Sequence, residues 1–299
     1  MRGLLLLVAC ALVAGCSVER YAIGKLGDAL AGGSSTFASD DDPELVRQAV
    51  PIGLKLVESL LAQEPRHEGL LLAAASGFAQ YSFAFVQEDA DEIESQSLAR
   101  VTELRVRARK LYLRARKYGL RGLEVRHPGF EAQLRADRVA ALAATKAGDV
   151  PFLYWTAAAW GGVINLAKDD PEVVADLPLV EALMDRALAL DESFGSGAIH
   201  TFLISYEGNR PGGARDADAR ARAHFDRAVE LSGGHRAGPM VALAEDVALP
   251  RQDRKEFEDL LARALAVDED AVPDWRLENL ILKRRARWLL DHIEDHFVQ

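Results

Sequence analysis

Cysteine is nearly absent from this chain of 299 residues. It has two cysteines, Cys10 and Cys16, and both lie in the first sixteen residues. The remaining chain therefore has no pair of thiols that could form a disulfide or hold a structural zinc ion. Aromatic residues are also few, at 7%, whereas apolar residues make up 49%. Such an alanine- and leucine-rich chain depends on its apolar core, and its composition favours closely packed helices.

The chain also lacks an excess of positive charge. The formal net charge is −10, and removal of residues 1–16 deletes one arginine, which gives 35 − 46 = −11. A surface of this sign repels nucleic acid, so we expect no nucleic-acid partner. One basic run, 100–121, is the exception, and its cations alternate with apolar residues at helical spacing. We interpret the run as the solvated face of an amphipathic helix, with a docking patch for an acidic partner as the alternative.

Signatures of catalysis are missing as well. The sequence contains no G-x-S-x-G motif, no P-loop and no Rossmann fingerprint. His292 and His296 share a helix face, but the glutamate of the zinc-protease motif is misplaced, so we expect no metal and no cofactor. Carboxylates are plentiful, yet no pattern assigns a general acid and a general base. We predict that the protein is not an enzyme.

The amino terminus has the pattern of an export signal. Arg2 precedes an apolar run, Leu4 to Val13, that is too short to span a bilayer. The run ends in Leu-Val-Ala-Gly-Cys at 12–16, which is similar to the lipobox of bacterial lipoproteins. We predict acylation of Cys16 and a lipid-anchored periplasmic protein, with the outer membrane favoured over the inner because Ser17 follows. An ordinary signal peptide is the alternative.

The sequence divides into three regions. Residues 1–16 form the lipoprotein signal peptide, residues 17–42 a flexible tether, and residues 43–299 a helical repeat-like domain. The tether is assigned because its small and acidic residues show no apolar periodicity. The domain starts with a helix that Asp42 can cap, with Pro43 in its first turn, and that ends near Pro65. About eleven helices and no strand follow from the same signals, so the predicted fold class is all-α.

A helix signature recurs along the domain. Ala108-x₃-Tyr112-x₂-Ala115 has the same spacing as Ala221-x₃-Phe225-x₂-Ala228, and weaker copies end at Ala187 and Ala264. This spacing is typical of the second helix of a tetratricopeptide repeat, where small residues admit a neighbouring helix. The intervals are irregular, so we predict an array of diverged helical hairpins.

The segment 150–168 is apolar on nearly every face and should lie at the centre of the array. Trp155 and Trp160 point in different directions on a helix, so both cannot face one pocket. They are either core packing residues, or one indole lines a ligand cavity. The small residues 157–159, 161 and 162 leave room beside the rings.

A cluster near two later helix starts contains His235, Arg236 and Arg254. Helix starts can bind anions, so an arginine there could contact a carboxylate of a ligand or partner. The alternative is that Asp253 caps its helix while the arginines pair with neighbouring surface acids.

Several segments together resemble a known family. They are the lipobox ending at Cys16, the stretch 153–161 (LYWTAAAWG), the stretch 168–171 (KDDP), and 235–239 (HRAGP) followed by 252–254 (QDR). In this order they resemble the TatT (T-component) lipoproteins of tripartite ATP-independent periplasmic (TRAP) transporters. The resemblance implies a tetratricopeptide-like periplasmic protein, often a homotrimer, with a central hydrophobic cleft or pore in each protomer. It also implies a partner, the solute-binding protein (P component).

These observations lead to one functional hypothesis and one alternative. The hypothesis is an accessory protein that binds or relays a partly hydrophobic or amphipathic ligand. The candidate ligand-binding residues are Trp155, Trp160, Tyr154 and Asn165, with Phe78 and Tyr81 from an early hairpin. The alternative is a tetratricopeptide scaffold that binds peptides or proteins in envelope assembly. Its groove would show rows of Asn, Lys and Arg on first helices, and here alanine and aromatic residues dominate them.

Overall fold

The protein is helical throughout the part that a computed structural model describes, residues 34–209 and 216–297. The principal helices are α1 (Pro43–Gln63), α2 (Glu68–Ser82), α3 (Leu98–Arg126), α4 (Phe130–Ala136), α5 (Val150–Asn165), α6 (Leu177–Leu190), α7 (Ala198–Asn209), α8 (Ala217–Leu231), α9 (Gly238–Leu243), α10 (Arg254–Leu265) and α11 (Arg276–Asp291). Shorter α-helices are Ser34–Ala38, Glu88–Glu92, Arg138–Ala143, Pro171–Val174 and Ile293–His296, and two π-helical segments are Phe83–Gln87 and Ala244–Ala248. These ranges contain no strand, which confirms the predicted all-α fold.

Local capping signals determine where two of these helices begin. Asp42 accepts hydrogen bonds from the backbone N–H groups of Glu44 and Leu45, and Pro43 occupies the first turn of α1. Asp253 caps α10 in the same way, by accepting from the Glu256 N–H. The predicted start of α1 is therefore confirmed, and Asp253 has the capping role considered for it.

Consecutive helices pack as hairpins, and the recurrent signature lies on the second helix of four of them. The pairs are α2 with α3, α5 with α6, α7 with α8, and α9 with α10. The signature residues of α3 and α8 are all buried, namely Ala108, Tyr112, Ala115, Ala221, Phe225 and Ala228. The signature tyrosine of α3 packs directly against the backbone of α5 at Gly162. A Cβ atom at that position would lie only 2.8 Å from the Tyr112 ring.

Two hydrophobic cores meet along α7 and α11. The first core is built from α1 to α6 and includes Ile199 and Leu203 of α7, whereas Ile204 belongs to the second core. Most of α11 packs in the second core, but Leu277 and Ile281 pack against the first. We call the boundary between the two cores the junction. It is where side chains from distant parts of the chain meet.

The predicted tether is partly folded. Ser34–Ala38 forms a short helix that contacts α11, and the Ser39 carbonyl accepts a hydrogen bond of 2.9 Å from Arg276. The flexible tether predicted for 17–42 therefore does not extend to residue 42. The tether sequence has no apolar periodicity, so the helix at its end could not be predicted and is seen only through its contact with α11. The signal peptide 1–16, the lipidation site Cys16 and tether residues 17–33 lie outside the described residues.

One helical stretch in the described part of the chain, Glu68–Glu92, is long and apolar enough to cross a membrane. Its apolar window is 61% buried inside the fold. Burial of this kind is typical of the core helix of a folded domain, and the stretch packs against α1, α3 and α5.

Candidate functional site

Only one face of α5 remains accessible after the helix packs against α2, α3 and α6. Tyr154, Ala158, Gly161 and Asn165 follow each other at helical spacing along this face, and Trp155 lies at its edge. Tyr154 and Trp155 are half-buried, and Asn165 is exposed at the end of the helix. Three of the predicted ligand-binding residues are therefore brought to a single surface.

Aromatic rings extend this face into a wall. Tyr154 meets Trp155 edge-on with 4.9 Å between ring centroids, and its ring lies 5.2 Å from that of Phe194. On α7 the Phe202 ring lies over Gly161, where a Cβ atom would be 3.3 Å from the ring. Phe194 and Phe202 were missed by sequence reasoning because they lie 40 or more residues from the tyrosine. We call Tyr154, Trp155, Phe194 and Phe202 the aromatic wall.

Tyr154 lies deep in the protein although part of its side chain is accessible. Burial raises the pKa of Tyr154 to about 12, and the nearby Glu278 carboxylate adds to this against the opposing effect of Arg236. The Tyr154 ring is thus partly accessible beside the Arg236 and Glu278 side chains. The aromatic wall is therefore a candidate surface for an apolar ligand.

An ion pair lies beside the aromatic wall. Arg236 is 9% exposed and donates to Glu278 at 2.6 and 2.8 Å through Nη2 and at 3.1 Å through Nε. Its Nη1 donates to the Gly195 carbonyl, and its guanidinium lies 5.8 Å from the Trp275 ring centroid. Burial alone would lower the pKa of Arg236, but the Glu278 carboxylate outweighs this and the pKa is raised. The Arg236 guanidinium is thus already paired with a carboxylate of the protein itself.

The side chains of the other two residues of the predicted anion cluster take no part in this ion pair. His235 is exposed, and Arg254 donates to Glu258 at 3.0 Å and to Glu294 at 2.5 Å. Glu278, which holds Arg236, lies in the first turn of α11, whereas Glu294, which holds Arg254, lies in the short helix Ile293–His296 after α11. The structure does not bring the three residues together, and their role in partner or anion contact stays a prediction.

Trp160 does not belong to the aromatic wall. Its side chain is 0% exposed, and the guanidinium groups of Arg116 and Arg135 lie 4.7 and 5.3 Å from its ring. The indole Nε1 has no hydrogen-bond partner among the described residues. As expected from their spacing, Trp155 and Trp160 point in different directions.

Phe78 and Tyr81 also lie in the first core, at the contact between α2 and α3. Phe78 stacks on Tyr118 with 6.1 Å between centroids, and Tyr81 lies 5.5 Å from Phe85. Both side chains are buried. A ligand-binding role for Phe78, Tyr81 and Trp160 stays a prediction, and it requires rearrangement of a packed core.

A buried ion cluster at the junction was not predicted from the sequence. Arg285 of α11 donates to Glu245 at 2.6 and 3.1 Å and lies 3.4 Å from Glu88. Glu245 is in the second π-helical segment, and Glu88 follows directly after the first. We call Glu88, Glu245 and Arg285 the junction ion cluster. π-Helical segments often occur at functional sites, because they redirect side chains that a regular helix would place elsewhere.

Glu88 is the most perturbed carboxyl of this cluster. It is 4% exposed, and burial raises its pKa to about 8, with Glu245 adding to the effect and Arg285 opposing it. The carboxyl is therefore largely neutral at pH 7. Glu88 Oε2 and Arg285 Nη1 have no hydrogen-bond partners among the described residues. These two buried atoms can each form a hydrogen bond with water or a polar ligand group.

The sequence did carry a weak signal for this cluster. Glu88 lies two residues after the apolar run 83–86, and Arg285 interrupts the apolar stripe of α11. A charged residue on an apolar face indicates a buried partner, but the partner cannot be identified from one sequence. A histidine pair was missed in the same way, since His200 and His224 lie with their Nδ1 atoms 2.9 Å apart.

A separate groove of about 630 Å³ lies between α8, α9 and α10. Its lining includes Arg222, Asp226, Glu256 and Arg263, and Arg222 is already paired with Glu256. The groove is mainly polar and lacks the predicted ligand residues, so we do not assign the apolar site to it. Within 34–209 and 216–297, no group of three His, Cys, Asp or Glu residues is placed to hold a metal ion.

Comparison with known proteins agrees with the architecture. The family described as TRAP transporter T-component matches residues 39–297, which includes every principal helix. A protein of Treponema pallidum (strain Nichols), described as uncharacterized, is 30% identical over 97% of this chain and 95% of its own length. The resemblance seen in the sequence is thereby confirmed. The chain belongs to the TRAP transporter T-component family.

Proposed function

We propose that this protein is a lipid-anchored periplasmic component of a TRAP-type uptake system that binds or relays a partly hydrophobic ligand. Its family has an accessory role in TRAP transport, the lipobox-like sequence ending at Cys16 supports a lipid anchor, and Ser17 favours the outer membrane. The proposed partner is the solute-binding protein of the same system. By resemblance to the family, the protein is also proposed to be a homotrimer, which light scattering on the purified protein tests.

The observation that carries this proposal is the aromatic wall. Tyr154, Trp155 and Phe202 remain partly accessible, although they come from α5 and α7 at the junction of the two cores. Each aromatic side chain offers a large apolar area for a ligand, and burial of that area gives about 25 cal/mol per Å². Asn165 supplies a polar group at the end of the same face.

The junction also supplies polar groups for the ends of a ligand. Glu278, beside the aromatic wall, and Arg285 of the junction ion cluster are two turns apart on α11, which is roughly 10 Å. Ile281 lies between them and is half-buried. An apolar stretch with polar groups at both ends suits an elongated amphipathic molecule, in which burial provides affinity and few hydrogen bonds fix orientation.

The test is to identify what the purified protein carries. The full chain is purified from the envelope of an expressing cell, alone and with the neighbouring solute-binding protein, and is analysed by native mass spectrometry and lipid extraction. Trp155→Ala should remove the bound molecule. Phe83→Ala is the matched control, because Phe83 is 41% exposed and lies outside the aromatic wall.

Two outcomes would count against the proposal. Retention of the same molecule by Trp155→Ala contradicts the role of the aromatic wall. Capture of envelope peptides, with neither ligand nor solute-binding protein bound, would favour the tetratricopeptide scaffold instead.

A further inference from the structure

The basic run predicted from the sequence forms a single row on α3. Its cations stand at 107, 110, 114, 117 and 121, a spacing of 3, 4, 3 and 4 residues that keeps them on one face of the helix. We call Arg107, Lys110, Arg114, Lys117 and Arg121 the basic ridge. Its first and last cations are fourteen positions apart, or about 21 Å. It is a long surface of one sign on a chain whose net charge is −10.

The basic ridge faces away from the fold. The opposite side of α3 packs between α2 and α5 and carries the buried Ala108, Tyr112 and Ala115. The four cations from 107 to 117 are exposed, and Arg121 is half-buried. The basic run is therefore a solvated helix face, as interpreted from the sequence. That interpretation does not explain why only positive charges are concentrated there.

Four of the five cations of the basic ridge lack an ion pair within the described residues. Most arginines of the described chain are held by carboxylates, as in the pairs Arg47–Asp89 and Arg126–Asp149. In the ridge only Arg114 approaches a carboxylate, that of Glu58 at 3.6 Å. The other four cations form no ion pair with any residue in 34–209 or 216–297, so their charge is not compensated within the protein.

Three arginines of the ridge are held in position by aromatic rings two turns apart. The distances from Cζ to the ring centroid are 5.8 Å for Arg107 over Tyr81, 5.4 Å for Arg114 over Phe78 and 5.4 Å for Arg121 over Tyr118. A guanidinium over a ring is partly ordered beforehand and loses less conformational entropy on binding. One N–H group of Arg121 donates to the Pro65 carbonyl at 2.9 Å and one of Arg107 to the Tyr81 hydroxyl at 3.5 Å, so the remaining N–H groups are the ones available to a partner. Phe78 and Tyr81 thus support the ridge from below.

We infer that the basic ridge of α3 is a docking surface for an acidic face of a protein partner. Guanidinium groups at fixed intervals match carboxylates by charge and by bidentate geometry. The inference rests on the proposed function only for the identity of the partner, the solute-binding protein. The acidic character of the contact follows from the ridge itself.

A protein partner fits the ridge better than a membrane does. The ridge is one helix wide, and at physiological ionic strength each charge acts over about 8 Å. A convex or narrow protein surface can meet the row alone, whereas an anionic bilayer would also meet the rest of a surface whose net charge is negative.

The test uses the full chain and the double variant Lys110→Glu/Lys117→Glu. Both lysines are exposed and without ion pairs, so the fold should not change. The matched control is Lys146→Glu/Lys168→Glu, which makes the same charge change at two exposed lysines outside the basic ridge. Three probes are compared: the solute-binding protein encoded beside this gene, a helical peptide with glutamates at 3- and 4-residue spacing, and vesicles of anionic phospholipid.

We expect the ridge variant to bind the peptide and the solute-binding protein about tenfold or more weakly, and the control to bind both like the unchanged protein. Added salt should lower the affinity of the unchanged protein for both probes until it approaches that of the ridge variant. Equal losses in the control, unaffected peptide binding, or preferential binding of vesicles through the ridge would overturn the inference.

The two proposals can fail separately. If the solute-binding protein binds equally well to the ridge variant, the ridge inference is wrong and the proposed function stands. If that protein does not bind even the unchanged chain, the proposed partnership is wrong, and the peptide result still decides whether the ridge recognises acidic surfaces.

Discussion

A single carboxyl group shows how burial changes the chemistry of this protein. Glu88 lies between two cores, and its proximity to Arg285 does not offset the loss of hydration. Its proton is retained in the folded state at pH values where an unfolded chain would have lost it. Folding and proton binding are therefore linked at this residue.

Glu88→Gln should remove a pH dependence of stability. Between pH 7 and 8.5 the free energy of unfolding of the unchanged protein should fall by about 1 kcal/mol, because the raised pKa of Glu88, about 8, makes the folded state bind the proton that the unfolded state lacks. Urea unfolding at several pH values measures this. The variant should lose the slope, whereas Glu94→Gln, a more exposed carboxyl of the same acidic stretch, should keep it. Equal slopes in the unchanged and Glu88→Gln proteins would show that Glu88 is ionised at neutral pH.

At the scale of helices, the contact between α3 and α5 depends on glycine. A Cβ atom on Gly122 would lie 2.1 Å from the Phe152 ring, and one on Gly119 would lie 2.2 Å from the Thr156 hydroxyl. The two helices can approach closely only because these positions lack a side chain. This approach orients α5 so that its remaining face carries Tyr154 and Trp155.

Gly122→Ala should destabilise the protein by about 1–3 kcal/mol, because the Phe152 ring is 1% exposed and has little room to move. Gly53→Ala is the matched control, since a Cβ atom on Gly53 of α1 meets nothing within 4 Å. Alanine there should stabilise the protein by up to about 1 kcal/mol through helix propensity. Thermal unfolding of both variants measures the difference. Similar effects of the two substitutions would argue against the close helix contact.

At the scale of the molecule, the two cores are joined by α7, α11 and ion pairs. Arg284 of α11 reaches Asp89 at 3.2 Å and Glu92 at 3.0 Å, next to the contact between Arg285 and Glu88. The aromatic wall lies along the same junction. A ligand bound there would contact both halves of the protein, which suits a component that receives and releases a solute.

Cys16→Ala should leave the domain folded but release it from membranes. The lipid on this residue would contribute about 0.8 kcal/mol per buried CH₂ group, and the described core does not include Cys16. Fractionation of cells that express the variant measures its distribution, and circular dichroism checks its helix content. A variant that still sediments with membranes would refute the lipobox assignment.

The fold class, the start of α1, the burial of the repeated signature and the family could all be predicted from the amino-acid sequence. These features depend on residues that are near each other in the chain. A cap needs three or four residues, as between Asp253 and Glu256, and a buried helix face needs a periodic pattern. The segment 150–168 could be assigned as a central helix on the same basis.

Which side chains share a site could be seen only in the three-dimensional structure. It placed Trp155 on an accessible face and Trp160 in the core, and it paired Arg236 with Glu278, 42 residues away. The junction ion cluster joins Glu88 to Arg285 across almost 200 residues. Such contacts depend on the angle and register at which helices pack, and these follow from the fit of many side chains in three dimensions.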